Sequence, residues 1–151
     1  MPNHCHNRVT VYGSGNDTDE TRAQIAKIKG IFEDESIFTH FIPEPDWATT
    51  PNKDGELPIQ PSGDNPFHMP WFKSTDRADD RWYDWRLQNW DTKWDAYDVE
   101  VTDDDPDQLE VTFNTAWCPP DAICHAMREL YPDLSVSWFY DEPGCEIAGY
   151  L

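Results

Sequence analysis

Hydrophobic and polar positions change period several times along the chain, and each change marks an element. Residues 8–12 alternate, with Val9 and Val11 on one side, and the run ends at Gly13-Ser14-Gly15, so it reads as a strand and its turn. Asp17 followed three residues later by Glu20 resembles a capping box with Asp in the place of the usual Ser or Thr. Ile25, Ile28 and Phe32 then recur at helical spacing, which predicts a helix over residues 18–32. A short apolar piece at 37–42 leads into a stretch rich in Pro, Asn, Gly and Asp that reads as irregular surface loop to about residue 70. So long a loop in a compact domain points to an insertion with a role of its own or to a mobile segment. From Thr75 the pattern turns helical: Tyr83, Leu87, Trp90 and Trp94 share a stripe that Trp82 and Trp85 widen, an aromatic face in need of cover.

Beyond it, Tyr97, Val99 and Val101 alternate, as do Leu109, Val111 and Phe113, with an acidic run at 103–107 between them; this is a hairpin with a charged tip. Pro119-Pro120 can open a helix, since proline lacks only an N–H that the first turn leaves unpaired, and Ile123, Met127 and Leu130 then share a face. That helix stops near Tyr131, before Pro132. Leu134, Val136, Trp138 and Tyr140 alternate as a further strand, and residues 145–150 pair back on it across Glu142-Pro143-Gly144. The order is strand, helix, insertion, hairpin, helix, strand, strand. It predicts an α+β class and a ferredoxin-like antiparallel sheet with two helices on one face. Added to that are a long loop and helix insertion at about 43–95 and an extra C-terminal strand, all within one domain, 1–151.

Composition narrows what such a domain does. Its 151 residues suit one domain, and eight Trp supply buried area that a 38% hydrophobic content would otherwise leave short. No apolar run approaches the roughly 20 residues of a membrane span, and Met1-Pro-Asn-His-Cys-His6 has no export-signal pattern, so a cytoplasmic protein without a membrane partner is expected. Cys5, Cys118, Cys124 and Cys145 are scattered and read as reduced thiols. Eleven basic against 30 acidic residues give a formal charge of −19, which repels a phosphate backbone and favours a basic protein surface. The expected partner is therefore a host protein with a basic surface and not nucleic acid.

Candidate chemistry is sparse. Gly13-Ser14-Gly15 lacks the third glycine of a phosphate loop and has Asp17 and Asp19 beside it, so a turn and helix cap account for it. Asp103, Asp105 and Asp107 have the one-three-five spacing of a calcium loop, but Gln108 stands where glycine is needed and Asn114 where glutamate is; a solvated acidic surface formed by Asp103, Asp104, Asp105 and Asp107 is the simpler reading. His4 and His6 project to one side of an extended N-terminus with Cys5 on the other, and no spaced Cys or His pair closes a zinc site. No nucleophile sits beside a base in a known pattern, so no catalytic residue, metal or cofactor is assigned. Two segments do stand out as a binding candidate: Trp90, Lys93, Trp94 and Asp95, and Trp117 where a strand meets a helix start, with Tyr140 and Glu142 alongside.

The same segments carry a resemblance. Asn3-x-Cys5-x-Asn7, Trp90-x-Thr92-Lys93-Trp94-Asp95-Ala96, Phe113-x-Thr115-Ala116-Trp117-x-Pro119-Pro120, and Tyr140-x-Glu142-Pro143-Gly144 with Ala148-Gly149 resemble the YubB-like proteins of plasmids and bacteriophages. The resemblance implies a ferredoxin-like fold and a mobile-element origin, and brings no reaction with it. The chain departs from the pattern at Asp91, where glycine is common, and at Cys118, where a small polar helix cap is common. The reading that follows is a non-enzymatic acidic accessory protein of a phage or plasmid that binds a host protein. The alternatives are a small-ligand or metal-assisted enzyme using the Trp/Lys/Glu neighbourhood, and a virion or assembly component.

Overall fold

A computed structural model describes residues 3–13, 15, 18–61, 69–74 and 76–151. Its elements in chain order are β1 (His4–Tyr12), α1 (Asp19–Phe32), a 3-10 turn (Phe38–His40), the short pair β2 (Trp71–Phe72) and β3 (Arg77–Ala78), α2 (Arg81–Asn89), β4 (Tyr97–Asp105), β5 (Gln108–Ala116), α3 (Asp121–Leu130), β6 (Ser135–Glu142) and β7 (Ile147–Tyr150). The main sheet runs β4-β5-β1-β6-β7, antiparallel throughout. Without β7 this is the order of a split βαβ fold, as the succession of elements predicts.

Period-two burial makes the sheet. Along β1, Cys5, Asn7, Val9 and Val11 are buried while His4, His6, Arg8 and Tyr12 are not, and Val9 lies opposite both Val111 and Trp138. That buried face meets Ile25, Ile28, Ile31 and Phe32 of α1 and Ile123, Cys124 and Met127 of α3, so both helices cover the same side. Phe113 sits at the centre, in ring contact with Phe32, Phe38 and Trp138. Among the described residues no helix covers the opposite face of the sheet.

Four local expectations need correction. The N-cap of α1 is Thr18, whose side chain accepts from Thr21 N and whose own N–H is accepted by Thr21 Oγ1; the box therefore lies one residue later than Asp17 and Glu20, and Asp17 is outside the described residues. Leu130 is 54% exposed, and Cys124 and Tyr131 complete the apolar side of α3 in its place. The helix expected from Thr75, itself outside the described residues, starts only at Arg81, after β2 and β3. Its aromatic stripe is covered only in part: α2 has no buried residue, Tyr83 and Leu87 are exposed and Trp94 lies beyond the helix end, whereas Trp90, at the C-cap, is buried in the core.

Arginine and aromatic rings organise that insertion. Arg81 grips buried Asp79 with both Nε (2.9 Å) and Nη2 (3.0 Å), donates to the carbonyls of Trp47 and Pro51, and lies over the rings of Trp47 and Phe72. Arg86 makes a bidentate pair with Glu44 and lies between Trp82 and Trp90. Planar guanidinium forks suit both tasks at once.

Candidate functional site

The motif residues converge on one end of the sheet, where β1 begins and β5 and β6 end. At its centre is Asn7, 2% exposed, whose Nδ2 donates to Cys5 O (3.1 Å) and Thr115 Oγ1 (3.0 Å) while its Oδ1 accepts from the indole of Trp138 (3.0 Å). Every polar arm of this buried amide is thus engaged. Thr115 donates onward to Cys118 O (2.7 Å), and Thr92, fully buried, donates to Ala116 O (3.0 Å). Asn3 O accepts from Trp117 N (2.9 Å). Glu142, also fully buried, accepts the backbone N–H of Cys145, and its carboxylate raises the Cys145 thiol above the ordinary value by accepting its hydrogen bond. Burial pushes the Cys5 thiol up to about 11. Gly144 has a steric reason to be glycine: a Cβ there would lie 2.5 Å from Asn3 Nδ2 and 2.9 Å from Glu142 Oε1.

The proposed binding residues divide among different surroundings. Trp90 is core, 2% exposed, edge-on to Phe38 and Trp85, with its indole donating to Ile42 O (3.0 Å). Asp95 is a cap: it accepts from the backbone N–H groups of Ile37 and Phe38, closing the 3-10 turn. Lys93 lies over the half-exposed ring of Trp94 (4.7 Å), which meets Tyr97 edge-on, and Tyr97 in turn bonds His4. Trp117 is exposed and held in the left-handed region (φ 72°). Tyr140 lines a recess of about 320 Å³ with Asp91, Cys118, Asp121, Ile147 and Leu151. Glu142 belongs to the network around Asn3. These side chains do not line one enclosed pocket.

The acidic tip is likewise split. Asp104 bonds Lys29 (2.7 Å) and Asp107 bonds Arg22 (2.7 Å), so two of the four aspartates tie the hairpin to α1. Asp103 accepts from Gln108 and Asp105 accepts from Asp107 N, both within the hairpin. No group of three His, Cys, Asp or Glu side chains among the described residues is arranged to hold a metal. The uncovered face of the sheet was not singled out in the sequence. It holds an open cleft of about 360 Å³ lined by His6, Arg8, Asp98, Thr112, Asn114, Phe139 and Asp141, floored by Asn7 and Phe113. Arg8 stacks on Phe139 (5.3 Å) and His6 bonds Asn114. The signal was available: outward positions of β1, β5 and β6 follow from alternation alone.

The two departures from the YubB-like pattern form one compensating pair. Asp91 has φ 64°, the conformation for which glycine is the default, and its carboxylate accepts from Ala122 N (2.9 Å) in the first turn of α3. Pro120, at the N-cap position, offers no side-chain cap, and the Cys118 thiol instead donates to Asp91 O (2.7 Å).

Known proteins with related sequence or shape bear on the fold. Residues 89–151 match a family described as the ferredoxin-like domain in Api92-like protein. The fold is ferredoxin-like. Over 99% of the chain the structure is similar to the crystal structure of the Api92 protein from Yersinia pseudotuberculosis, with a TM-score of 0.53, 11% identity and 93% of that chain covered. At that identity the likeness concerns fold alone. No curated protein matches the chain. The matched description is Api92-like and not the YubB-like name that the motifs led one to expect. No helix among the described residues is long and apolar enough to cross a membrane.

Proposed function

We propose that this chain is a non-enzymatic acidic accessory protein of a phage or plasmid, YubB-like in its motifs, that acts by binding a host protein with a basic surface. The observation that carries the reading is the uncovered sheet face. Asp98, Glu100, Asp103, Glu110 and Asp141 stand on it, by register, beside Arg8 and the aromatic rings of Phe139 and Tyr150. A net charge of −19 gives that face a long-range field that speeds approach of a cationic partner. Aromatic rings among carboxylates suit lysine and arginine side chains, which gain from both. The division of Trp90, Asp95 and Glu142 into core, cap and network roles removes the main support for a small-ligand pocket.

The test is an affinity capture from host lysate at low salt and again at about 1 M salt, where the screening length falls to about 3 Å. The expected result is one dominant basic protein, identified by mass spectrometry, that is lost at high salt. Its retention should fall when Asp98, Glu100 and Asp141 are changed together to Asn, Gln and Asn. A blank at both salts, or equal retention by the triple variant, would overturn the reading.

A further inference from the structure

The two edges of the main sheet are built differently. On β4 the pairing with β5 is interrupted twice, Asp98 has φ 52°, and Asp98, Glu100, Asp103, Asp104 and Asp105 crowd the strand. Irregularity and charge are the usual devices that keep an edge from pairing with another chain. On the other edge, β7 reads Ile-Ala-Gly-Tyr, without charge or proline, and pairs with Phe139–Glu142 without a break.

The unguarded edge has groups to offer. Leu151 N donates to Trp138 O (3.0 Å), which fixes the alternation of the ladder: residues 147, 149 and 151 bond to β6, and the N–H and C=O groups of Ala148 and Tyr150 point away from it. Those outward groups have no protein partner among the described residues. Beside the edge, on the helix side, lies the recess of about 320 Å³ whose rim carries Asp91 and Asp121. Burial and the neighbouring Asp91 both raise the carboxyl of Asp121, and His125 opposes them, so these two carboxylates share a site that a cation would relieve. On the open side, Tyr150 is 69% exposed and packs against Phe139.

We propose that β7 receives an extended segment of a basic partner protein as a sixth strand. A lysine or arginine of that strand reaches Asp91 and Asp121, and its alternate side chains lie along Tyr150. The main-chain bonds supply affinity and the two alternating faces supply selection. A second copy of this chain is a poor occupant, because each copy carries −19. The inference rests on the basic-partner reading and names its docking element.

The probe is a short fluorescein-labelled peptide alternating Lys and Val, followed by anisotropy, with a Glu/Val peptide as control. Ala148→Pro removes an outward N–H and leaves the β6–β7 bonds intact, so it tests the edge selectively. Expected are binding of the Lys/Val peptide, loss of at least about tenfold in affinity with Ala148→Pro, about threefold with Asp121→Asn, and none for the Glu/Val peptide. Hydrogen exchange on the unaltered protein guards against a misfolded variant: peptide should slow the amides of Ala148 and Tyr150. Unslowed amides, or full affinity in a folded Ala148→Pro protein, would overturn the edge inference. If salt-sensitive binding persisted there, the basic-partner reading would survive it. Failure of the Lys/Val peptide to bind overturns the edge inference as well, whatever lysate capture finds. A dimer that Ala148→Pro dissolves would make the occupant a second copy and refute the basic strand.

Discussion

Replacing Asp91 separates two contributions that this one residue makes. Its carboxylate caps α3 in the place of an N-cap side chain, and its backbone occupies the left-handed region. Losing the cap costs about 1 kcal/mol. Losing a negative charge beside the helix N-terminus costs about 0.5 kcal/mol more. Asp91→Ala suffers both, and alanine tolerates the left-handed backbone less well than aspartate by about 0.5 kcal/mol, so a loss of about 2 kcal/mol is expected. Asp91→Gly suffers the same two losses but regains about 1 kcal/mol of backbone strain, leaving a deficit of about 0.5 kcal/mol. Asp91→Asn keeps an acceptor and tolerates the conformation, and should lose about 0.5 kcal/mol. Urea unfolding followed by tryptophan fluorescence and far-ultraviolet circular dichroism, with equal slopes for all four proteins, measures these differences. The Ala-to-Gly gap depends on the backbone alone. If the alanine variant matched or exceeded the glycine variant, the assigned strain would be wrong. If glycine exceeded the parent, the cap would be worth less than the strain.

Trp90→Ala should cost about 3–5 kcal/mol in the same assay, whereas Lys93→Ala, at a half-exposed stacking site, should cost under about 1 kcal/mol. A comparable loss for both would restore Lys93 to a buried role. Arg81→Ala leaves Asp79 buried without its partner, and a loss of about 3 kcal/mol should accompany new proteolytic cleavage within 43–80 while the main sheet stays intact. In native protein iodoacetamide should modify exposed Cys145 before buried Cys5 and Cys124, and Glu142→Gln should speed that reaction by lifting the carboxylate's hold on the thiol. Raised thiol values also set a sign. Cys5, at about 11 when folded against 9.0 ordinarily, stays protonated when the unfolded chain has begun to ionise, so stability should fall as pH rises from 9.0 towards 11.

Alternation was readable where one side of a strand is at least half-buried, as in β1, the β4–β5 hairpin and β6, although β1 begins at His4, ahead of the run at 8–12; β7, which has no buried residue, was readable only from the turn at 142–144. The insertion was not readable by the same rule. Of the stripe Tyr83, Leu87, Trp90 and Trp94 only Trp90 enters the core, while Arg86 lies over the rings of both Trp82 and Trp90, and a hydrophobicity pattern does not register a guanidinium as a packing partner. Buried Asp79 and its fork to Arg81 were invisible for the same reason. The cap of α1 lies one residue later than the pattern suggests because the side chains of Thr18 and Thr21 each accept the other's backbone N–H.

The candidate site was legible as a set of motifs but not as a set of contacts. Asn7, Thr92, Thr115, Trp90, Asp95, Glu142 and Gly144 all belong to the segments that carry the YubB-like resemblance, and each has a local duty: a satisfied amide, a strand-end clamp, a ring in the core, a turn cap, a carboxylate over a loop, or a gap that admits no Cβ. Apart from Glu142, whose Oε1 is buried without a hydrogen-bond partner among the described residues, these side chains are occupied with one another and have little left to offer a partner. Arg8, Asp98, Phe139 and Asp141, with the outward backbone of Ala148 and Tyr150, have the opposite character: they are placed by the framework but are not consumed by it. Ala148 belongs to the motif segments as well, and both its main chain and its exposed side chain face outward. It follows that the motifs specify how the sheet ends are locked together and leave the outward side chains of the same sheet free to vary.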